Sequence, residues 1–209
     1  MRRWLLLAGT GLLALLWFGP LPSRHAFATH MAVHMGVVAV AAPLLAAGIA
    51  GGPFDPARRR PHGWMASAWW PLLVSVLEFV VVWGWHVPGA HLLARHEPLA
   101  YALEQASFLG AGVLLWLAAL GQGTGASRER AGAGALALLL TATHMTLLGV
   151  LLATASRVLY GHGDPMPGAL FDQQLGGVLM LVVGGVAYLA GALLLLLRLL
   201  RHAGDEVSA

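Results

Sequence analysis

The amino-acid sequence predicts an all-α fold, a polytopic membrane helical bundle of six transmembrane helices with both termini in the cytoplasm. Hydrophobic residues make up 58% of the 209 residues and charged residues only 10%, whereas a typical soluble domain is about 25% charged. The mean hydropathy is +0.75. So little charge cannot cover a soluble surface of this size, which argues against a soluble enzyme, a nucleic-acid-binding protein and a disordered chain.

Six apolar stretches are candidates for crossing the ~30 Å of hydrocarbon in a lipid bilayer, which takes roughly 20 helical residues. In chain order they are residues 4–18, 26–50, 65–85, 98–120, 131–155 and 175–197. Gly19-Pro20 ends the first stretch and Gly51-Gly52-Pro53 the second, and the sixth holds no charged residue. Because the connections are short, we expect antiparallel neighbours within a single integral membrane domain, residues 1–209.

The first stretch has two interpretations. Arg2-Arg3, the apolar run and the small-residue sequence Ala26-Phe27-Ala28 also fit a signal peptide with its cleavage site. We favour a retained helix. The other five spans are the same in either case.

Arginine placement predicts the orientation of the bundle, because all 12 basic residues are Arg. With the N-terminus inside, inner segments hold nine arginines and outer segments three, which is the positive-inside asymmetry of a chain with both termini in the cytoplasm. The inner set is Arg2, Arg3, Arg58, Arg59, Arg60, Arg128, Arg130, Arg198 and Arg201, and the outer set is Arg24, Arg95 and Arg157. The pI near 10.2 is therefore a topology signal.

Histidine and methionine are the candidate soft-metal ligands, since the chain has no Cys. His30-Met31 and His34-Met35 form a doubled pair on the second span, where the i, i+4 spacing puts both histidines on one face. His144-Met145 repeats the pair on the fifth span. We assign the histidines near the outer connections to ordinary loops: His25, His91, His96 and His162.

These groups form a layer in the outer half of the membrane. At ~1.5 Å per helical residue, the positions of His30, His34, Glu78, Glu104 and His144 lie roughly 6 to 15 Å below the predicted outer helix ends. Ionisable residues at such depth are costly and are a functional hypothesis by default. Met also fills apolar gaps, which is the role we assign to Met180.

The ligand types favour copper, because thioether and imidazole suit Cu(I) and imidazole also suits Cu(II). The predicted ligands are His30, His34, His144, His86, Met31, Met35 and Met145. The carboxylates of Glu78 and Glu104 are predicted to hold an imidazole in one tautomer or to neutralise the cation.

An ordered set of motifs over roughly residues 25–200 resembles the multi-span CtaG family of cytochrome c oxidase assembly proteins. The motifs are His30-Met31-Ala32-Val33-His34-Met35, Ala42-Pro43-Leu44-Leu45, Trp85-His86-Val87-Pro88, Glu104-Gln105-Ala106-Ser107-Phe108, Trp116, His144, Tyr160 and Asp172-Gln173-Gln174-Leu175-Gly176-Gly177 with Met180. Two features depart from the family pattern. Gln105 stands where we would expect His, so that position is not expected to be a ligand, and we count six spans where many members have seven.

The resemblance implies a bacterial inner-membrane protein that is needed to make active heme–copper oxidase and that is not an enzyme. Copper would be its cargo, and oxidase subunits or a periplasmic copper chaperone its partners. Asp172, Gln173 and Gln174 lie at the outer start of the last helix. They are expected either to cap that helix or to receive the metal at a rim shared with His86.

Two alternatives come from other classes of protein. His34 and His144 lie at comparable depth, so they could be axial ligands in a heme-binding membrane redox protein, a b-type cytochrome or quinone-linked. Glu78 and Glu104 could serve an ion or proton transporter, but the inner halves of the spans offer no ionisable residue for a path.

Overall fold

The computed structural model describes residues 2–19, 26–56, 65, 67–120, 128–160 and 167–207, and the regular elements within these ranges are helices. In chain order they are α1 (Arg3–Phe18), α2 (Phe27–Ile49), α3 (Trp70–Trp85), α4 (Pro88–His96), α5 (Pro98–Leu120), α6 (Arg128–Ala153) and α7, which runs from Ala169 to Val207. The all-α prediction is confirmed for this part of the chain.

Helix length and composition make the protein a polytopic membrane bundle. Within the described ranges, α2, α5, α6 and α7 are each long and apolar enough to cross a bilayer, and α3 with α4 makes a fifth candidate that is bent by 72°. With 16 residues, α1 is shorter than these spans. The count of six spans and the cytoplasmic termini stay predictions.

The helix boundaries differ from the predicted spans in two ways: polar residues extend two helices, and one helix begins later than predicted. α5 occupies the predicted range, whereas α6 begins at Arg128 and α7 at Ala169, before the predicted apolar starts. Polar residues are compatible with helical structure, so a helix can continue beyond the apolar part that the hydropathy pattern identifies. α3 begins at Trp70, later than predicted, and the residues before it include positions outside the described ranges.

Pro88 ends one helix and begins another. α3 stops at Trp85 with His86 as its C-cap, as the sequence predicts for residues ahead of a proline. Pro88 then occupies the first turn of α4, where its missing N–H costs nothing. The prediction of a loop after Pro88 is wrong, and the 72° bend folds α4 back against α5.

Two helices contain a π-helical segment. In α2 it is Gly36–Ala41, directly after Met35, and in α7 it is Met180–Gly184. The two segments contact each other in the bundle. Such segments are rare and are often found at functional sites.

Small residues allow close helix crossings in the bundle. At Gly191 an added methyl would overlap the ring of Trp116, and at Gly149 it would meet the backbone of α7. Gly110, by contrast, is exposed, and a methyl group added there would have no neighbour within 4 Å among the described residues. That face of α5 therefore points away from the bundle.

The first helix packs against the bundle. Leu45 of α2 contacts Gly9, and Leu6 contacts Gly48. Trp17 Nε1 also donates a hydrogen bond of 3.1 Å to Gln105 Oε1 on α5. The choice between a retained helix and a cleaved signal peptide stays a prediction.

The bundle has two ends of different chemistry. The beginnings of α2 and α7 meet α4 and the connection after α6 at one end, through contacts of Phe27 with His91, Tyr160 and Asp172. At the opposite end Arg130 Nη2 donates to the carbonyl of Met65. These are the ends predicted to be outer and inner, so the antiparallel arrangement agrees with the prediction.

Candidate metal centre

Imidazoles on successive turns of α2 organise the candidate site. His30 and His34 are four residues apart, so both lie on one face, and both are buried, at 7% and 0% exposure. Each ring meets a histidine from the α3–α4 region. The ring centroids of His30 and His91 lie 5.0 Å apart, and those of His34 and His86 lie 5.5 Å apart.

The first of two groups around these imidazoles, here called the histidine–glutamate cluster, consists of His30, His91 and Glu104. One ligand atom from each residue lies within 4.8 Å of the other two, and all three residues are buried. Nε2 of His30 is 3.2 Å from Oε1 of Glu104, but the pair lacks the alignment of a hydrogen bond. In the described part of the chain, Nε2 of His91 has no hydrogen-bond partner either.

Gln105 holds the carboxylate of this cluster in place. Its Nε2 donates to Glu104 Oε2 at 3.3 Å, while its Oε1 accepts from Trp17 of α1. The amide therefore acts as a positioning group.

The second group, here called the histidine–methionine cluster, consists of His34, His86 and Met31. Nδ1 of His86 lies 2.6 Å from the Val82 carbonyl oxygen, which can only accept a hydrogen bond. Nδ1 therefore carries the hydrogen, and in the neutral ring Nε2 has a free electron pair. That Nε2 lies 3.4 Å from Sδ of Met31, which has no hydrogen to donate. Two electron-pair donors thus face each other inside the bundle.

His34 adds a second imidazole to the histidine–methionine cluster, beside that of His86. Neither of its ring nitrogens has a hydrogen-bond partner among the described residues, although the side chain is fully buried. Buried polar atoms are nearly always hydrogen-bonded, so two orphaned nitrogens on one ring need an explanation. A missing ligand such as a metal ion is one explanation that fits the neighbouring donors.

Tyr160 connects the two clusters to the outer connection after α6. Its ring stacks on Phe27 and lies 4.5 Å from the ring of His91, and its hydroxyl donates to the backbone carbonyl of His86 at 2.9 Å. Burial raises the pKa of Tyr160 to about 12, so the phenol stays protonated and keeps donating. The contact fixes the carbonyl of a cluster residue.

Gln173 and Gln174 fasten that connection to α7. Gln173 accepts from Leu159 N at 2.7 Å and donates to the Arg157 carbonyl, and Gln174 donates to the Ala155 carbonyl. Their side-chain amides are occupied by the backbone. They hold the segment that carries Tyr160, and within the described ranges their hydrogen bonds go to its backbone and not to either cluster.

Asp172 caps a helix, but not the one on which it lies. Its two carboxylate oxygens accept hydrogen bonds from the first backbone N–H groups of α2, at Phe27 (2.6 Å) and Ala28 (3.2 Å). These are N–H groups that a helix start leaves without partners. The prediction of a metal-receiving carboxylate gains no support, and the predicted cap of its own helix is corrected to a cap across helices.

His144 lies apart from the other predicted ligands. Its ring packs edge-on against Phe79, and both of its nitrogens lack partners in the described part of the chain. The nitrogens of His30, His34 and His144 do not converge within the 4.8 Å that joins the histidine–glutamate cluster. The predicted meeting of these three rings is therefore corrected, because similar depth does not make side chains face one another.

The remaining predicted residues lie in the core. Met35 and Met145 are fully buried and flank Gly184 of α7. Glu78 accepts a 2.6 Å hydrogen bond from the hydroxyl of Tyr188, which places it with α7 rather than beside an imidazole. Met180 is buried among these side chains, in line with a gap-filling role.

The heme alternative gains no support from these contacts. A heme held by two histidines needs His34 and His144 on opposite faces of one macrocycle. The ring of Phe108 instead packs against His34 with centroids 3.9 Å apart. An aromatic side chain occupies the space beside that imidazole.

His91 is the site residue that the sequence analysis misses. It was assigned to a loop, but it lies in α4 and is 1% exposed. Pro88 as a helix start, followed by the buried pair His91 and Ala94 three residues apart, is the signal that could have revealed it.

The fold and these clusters define a polytopic helical membrane protein with a buried group of metal-ligating side chains. The family model for cytochrome c oxidase caa3 assembly factors, Caa3_CtaG, matches residues 1–202, and the chain belongs to that family. Searches of the curated proteins and of the solved structures find no significant match to this chain.

Proposed function

We propose that this oxidase assembly factor holds copper in the histidine–methionine cluster and hands it over during assembly of a heme–copper oxidase. The protein would lie in the bacterial inner membrane, with the cluster near the outer face. Its partners would be oxidase subunits or a periplasmic copper chaperone. The role is one of binding and transfer, not of catalysis.

The observation that carries this proposal is the contact between His86 Nε2 and Met31 Sδ at 3.4 Å. Neither atom has a hydrogen to donate to the other, and a cation bound between them would interact with both electron pairs. Nitrogen and sulfur ligands roughly 2.0 and 2.3 Å from one tetrahedral ion lie about 3.5 Å apart. The observed separation fits a shared soft ion such as Cu(I).

The surroundings of the cluster suit holding rather than chemistry. The Val82 carbonyl fixes the tautomer and orientation of His86, as partners of metal-bound imidazoles commonly do. Met31 and His34 are fully buried, so water is kept from the ion. His34, with both nitrogens unpartnered in the described ranges, is placed to supply a further ligand.

Cu(I) binding to the purified full-length protein in detergent tests the proposal. Wild type is expected to bind Cu(I) under reducing conditions in competition with a colorimetric chelator. Met31→Leu conserves volume and costs less than about 1.5 kcal/mol of stability. It should weaken Cu(I) binding at least tenfold and remove the sulfur ligand from the X-ray absorption spectrum.

Two matched variants sharpen the result. Met65→Leu changes a methionine at the opposite end of the bundle and should leave the affinity unchanged. His144→Ala should also leave it unchanged, because the ring of His144 packs against Phe79 of α3. If Met31→Leu binds like wild type, or if His144→Ala abolishes binding, copper is held elsewhere and the assignment to this cluster is wrong.

A deletion strain tests the role in oxidase assembly. It should lose oxidase activity, and added copper should restore part of it. Expression of wild type should restore full activity, whereas Met31→Leu at equal abundance should not. An oxidase with unchanged copper content in the deletion strain would point to a scaffolding role.

A further inference from the structure

The histidine–glutamate cluster differs in chemistry from the copper site proposed above. Its donors are two imidazole nitrogens and one carboxylate oxygen, from His30, His91 and Glu104, with no thioether among them. Carboxylate and imidazole favour divalent ions such as Zn²⁺ and Cu²⁺ over Cu(I). The three residues come from α2, α4 and α5, so the cluster exists only in the folded bundle.

Two distances in this cluster match those of ligands around one ion. A nitrogen and an oxygen each ~2.0–2.1 Å from a tetrahedral ion lie about 3.3 Å apart, and the rings of two such imidazoles have centroids roughly 5 Å apart. The separation between His30 Nε2 and Glu104 Oε1 is 3.2 Å, and the ring centroids of His30 and His91 are 5.0 Å apart. The spacing therefore needs little adjustment to hold a metal.

Hydrogen bonding accounts for only part of the arrangement, the donation from Gln105 Nε2 to Glu104 Oε2 at 3.3 Å. The contact between His30 and Glu104 is close but not aligned, and Nε2 of His91 has no partner within the described ranges. An ionised carboxylate at 1% exposure beside unaligned imidazoles would be costly without a cation. A divalent ion would satisfy all three groups together.

We propose that His30, His91 and Glu104 form a second site, which binds one divalent transition-metal ion and is separate from the histidine–methionine cluster one helical turn below. Three protein ligands leave the fourth position of a tetrahedral ion open. The ion can then exchange with a ligand from outside the chain. The pair of sites would let the protein hold a divalent ion and a soft monovalent ion at the same time.

Zn²⁺ is the probe that separates this inference from the copper proposal, because Zn²⁺ is redox-inert. The purified full-length protein should retain about one Zn²⁺ per chain by elemental analysis after desalting. Co²⁺ in its place should give the visible absorption of a tetrahedral complex. Glu104→Gln keeps the shape of the side chain but removes its charge, and it should weaken Zn²⁺ binding at least tenfold.

His91→Phe provides a second variant that keeps the aromatic packing against Phe27 and Tyr160. It should lose Zn²⁺ as Glu104→Gln does, while both variants keep Cu(I) binding, which also shows that they fold. Met31→Leu should show the reverse pattern. Zn²⁺ retained by both Glu104→Gln and His91→Phe would overturn the inference. So would a wild type that binds Cu(I) but no Zn²⁺, and that result would leave the copper proposal intact.

Discussion

The crossing of α6 and α7 can be tested with a single methyl group. In Gly149→Ala the added carbon would lie 2.7 Å from the backbone nitrogen of Leu181 and 2.9 Å from the carbonyl oxygen of Gly177. Ordinary contacts of this kind begin at 3.4 Å. Because both neighbours are backbone atoms, neither can move without its helix, and the two helices must separate by several tenths of an ångström.

The size of the effect follows from two opposing contributions. Overpacking of this kind typically costs about 1–3 kcal/mol. Replacing Gly by Ala within a helix gains at most about 1 kcal/mol. We therefore expect Gly149→Ala to lower the stability of the bundle by up to about 2 kcal/mol.

Gly110→Ala is the matched control. It makes the same chemical change on α5, where no described atom lies within 4 Å, so only the gain in helix propensity remains. The assay is the midpoint of unfolding in a titration from mild detergent into SDS, followed by circular dichroism. Gly149→Ala should unfold at lower SDS than wild type, and Gly110→Ala at equal or higher SDS. Equal midpoints for the two variants would refute the close backbone crossing.

Two further predictions concern buried polar contacts. Asp172→Ala removes the cap of α2 and should lower stability by about 1–2 kcal/mol in the same SDS titration, whereas Asp172→Asn should lose less; an unchanged midpoint for Asp172→Ala would contradict the cross-helix cap. Tyr188→Phe leaves Oε1 of Glu78 without its 2.6 Å donor and should cost about 1–3 kcal/mol. Adding Glu78→Leu should recover much of that loss, and a double variant less stable than Tyr188→Phe alone would show that this pairing is not what stabilises the two residues.

Depth along a helix could be predicted from the sequence, whereas the direction of a side chain around its helix could not. The rise of ~1.5 Å per residue placed His30 and Glu104 at similar heights, and the structure brings them together. The same reasoning placed His144 in that layer, but its ring contacts Phe79 instead. Each residue turns the helix by about 100°, so equal depth leaves the facing direction open.

The role of a polar residue also depended on elements distant in sequence. Asp172 lies near the start of α7, where a helix cap is expected, yet it caps α2. The capped residue, Phe27, is 145 residues earlier in the chain. His91 became a site residue because the 72° bend after α3 brings α4 over the bundle. Local spacing could place His91 on a helix, but spacing alone identifies neither the partners of His91 nor the helix that Asp172 caps.

The sequence by itself determined the membrane class, the approximate helix boundaries and the paired face of His30 and His34. Those properties follow from local hydropathy and from the fixed geometry of a single helix. The tertiary structure decided which imidazole meets which carboxylate or thioether. That choice depends on how each helix is rotated against its neighbours, and the rotation is set by packing at positions such as Gly149 and Gly191, not by the polar residues themselves.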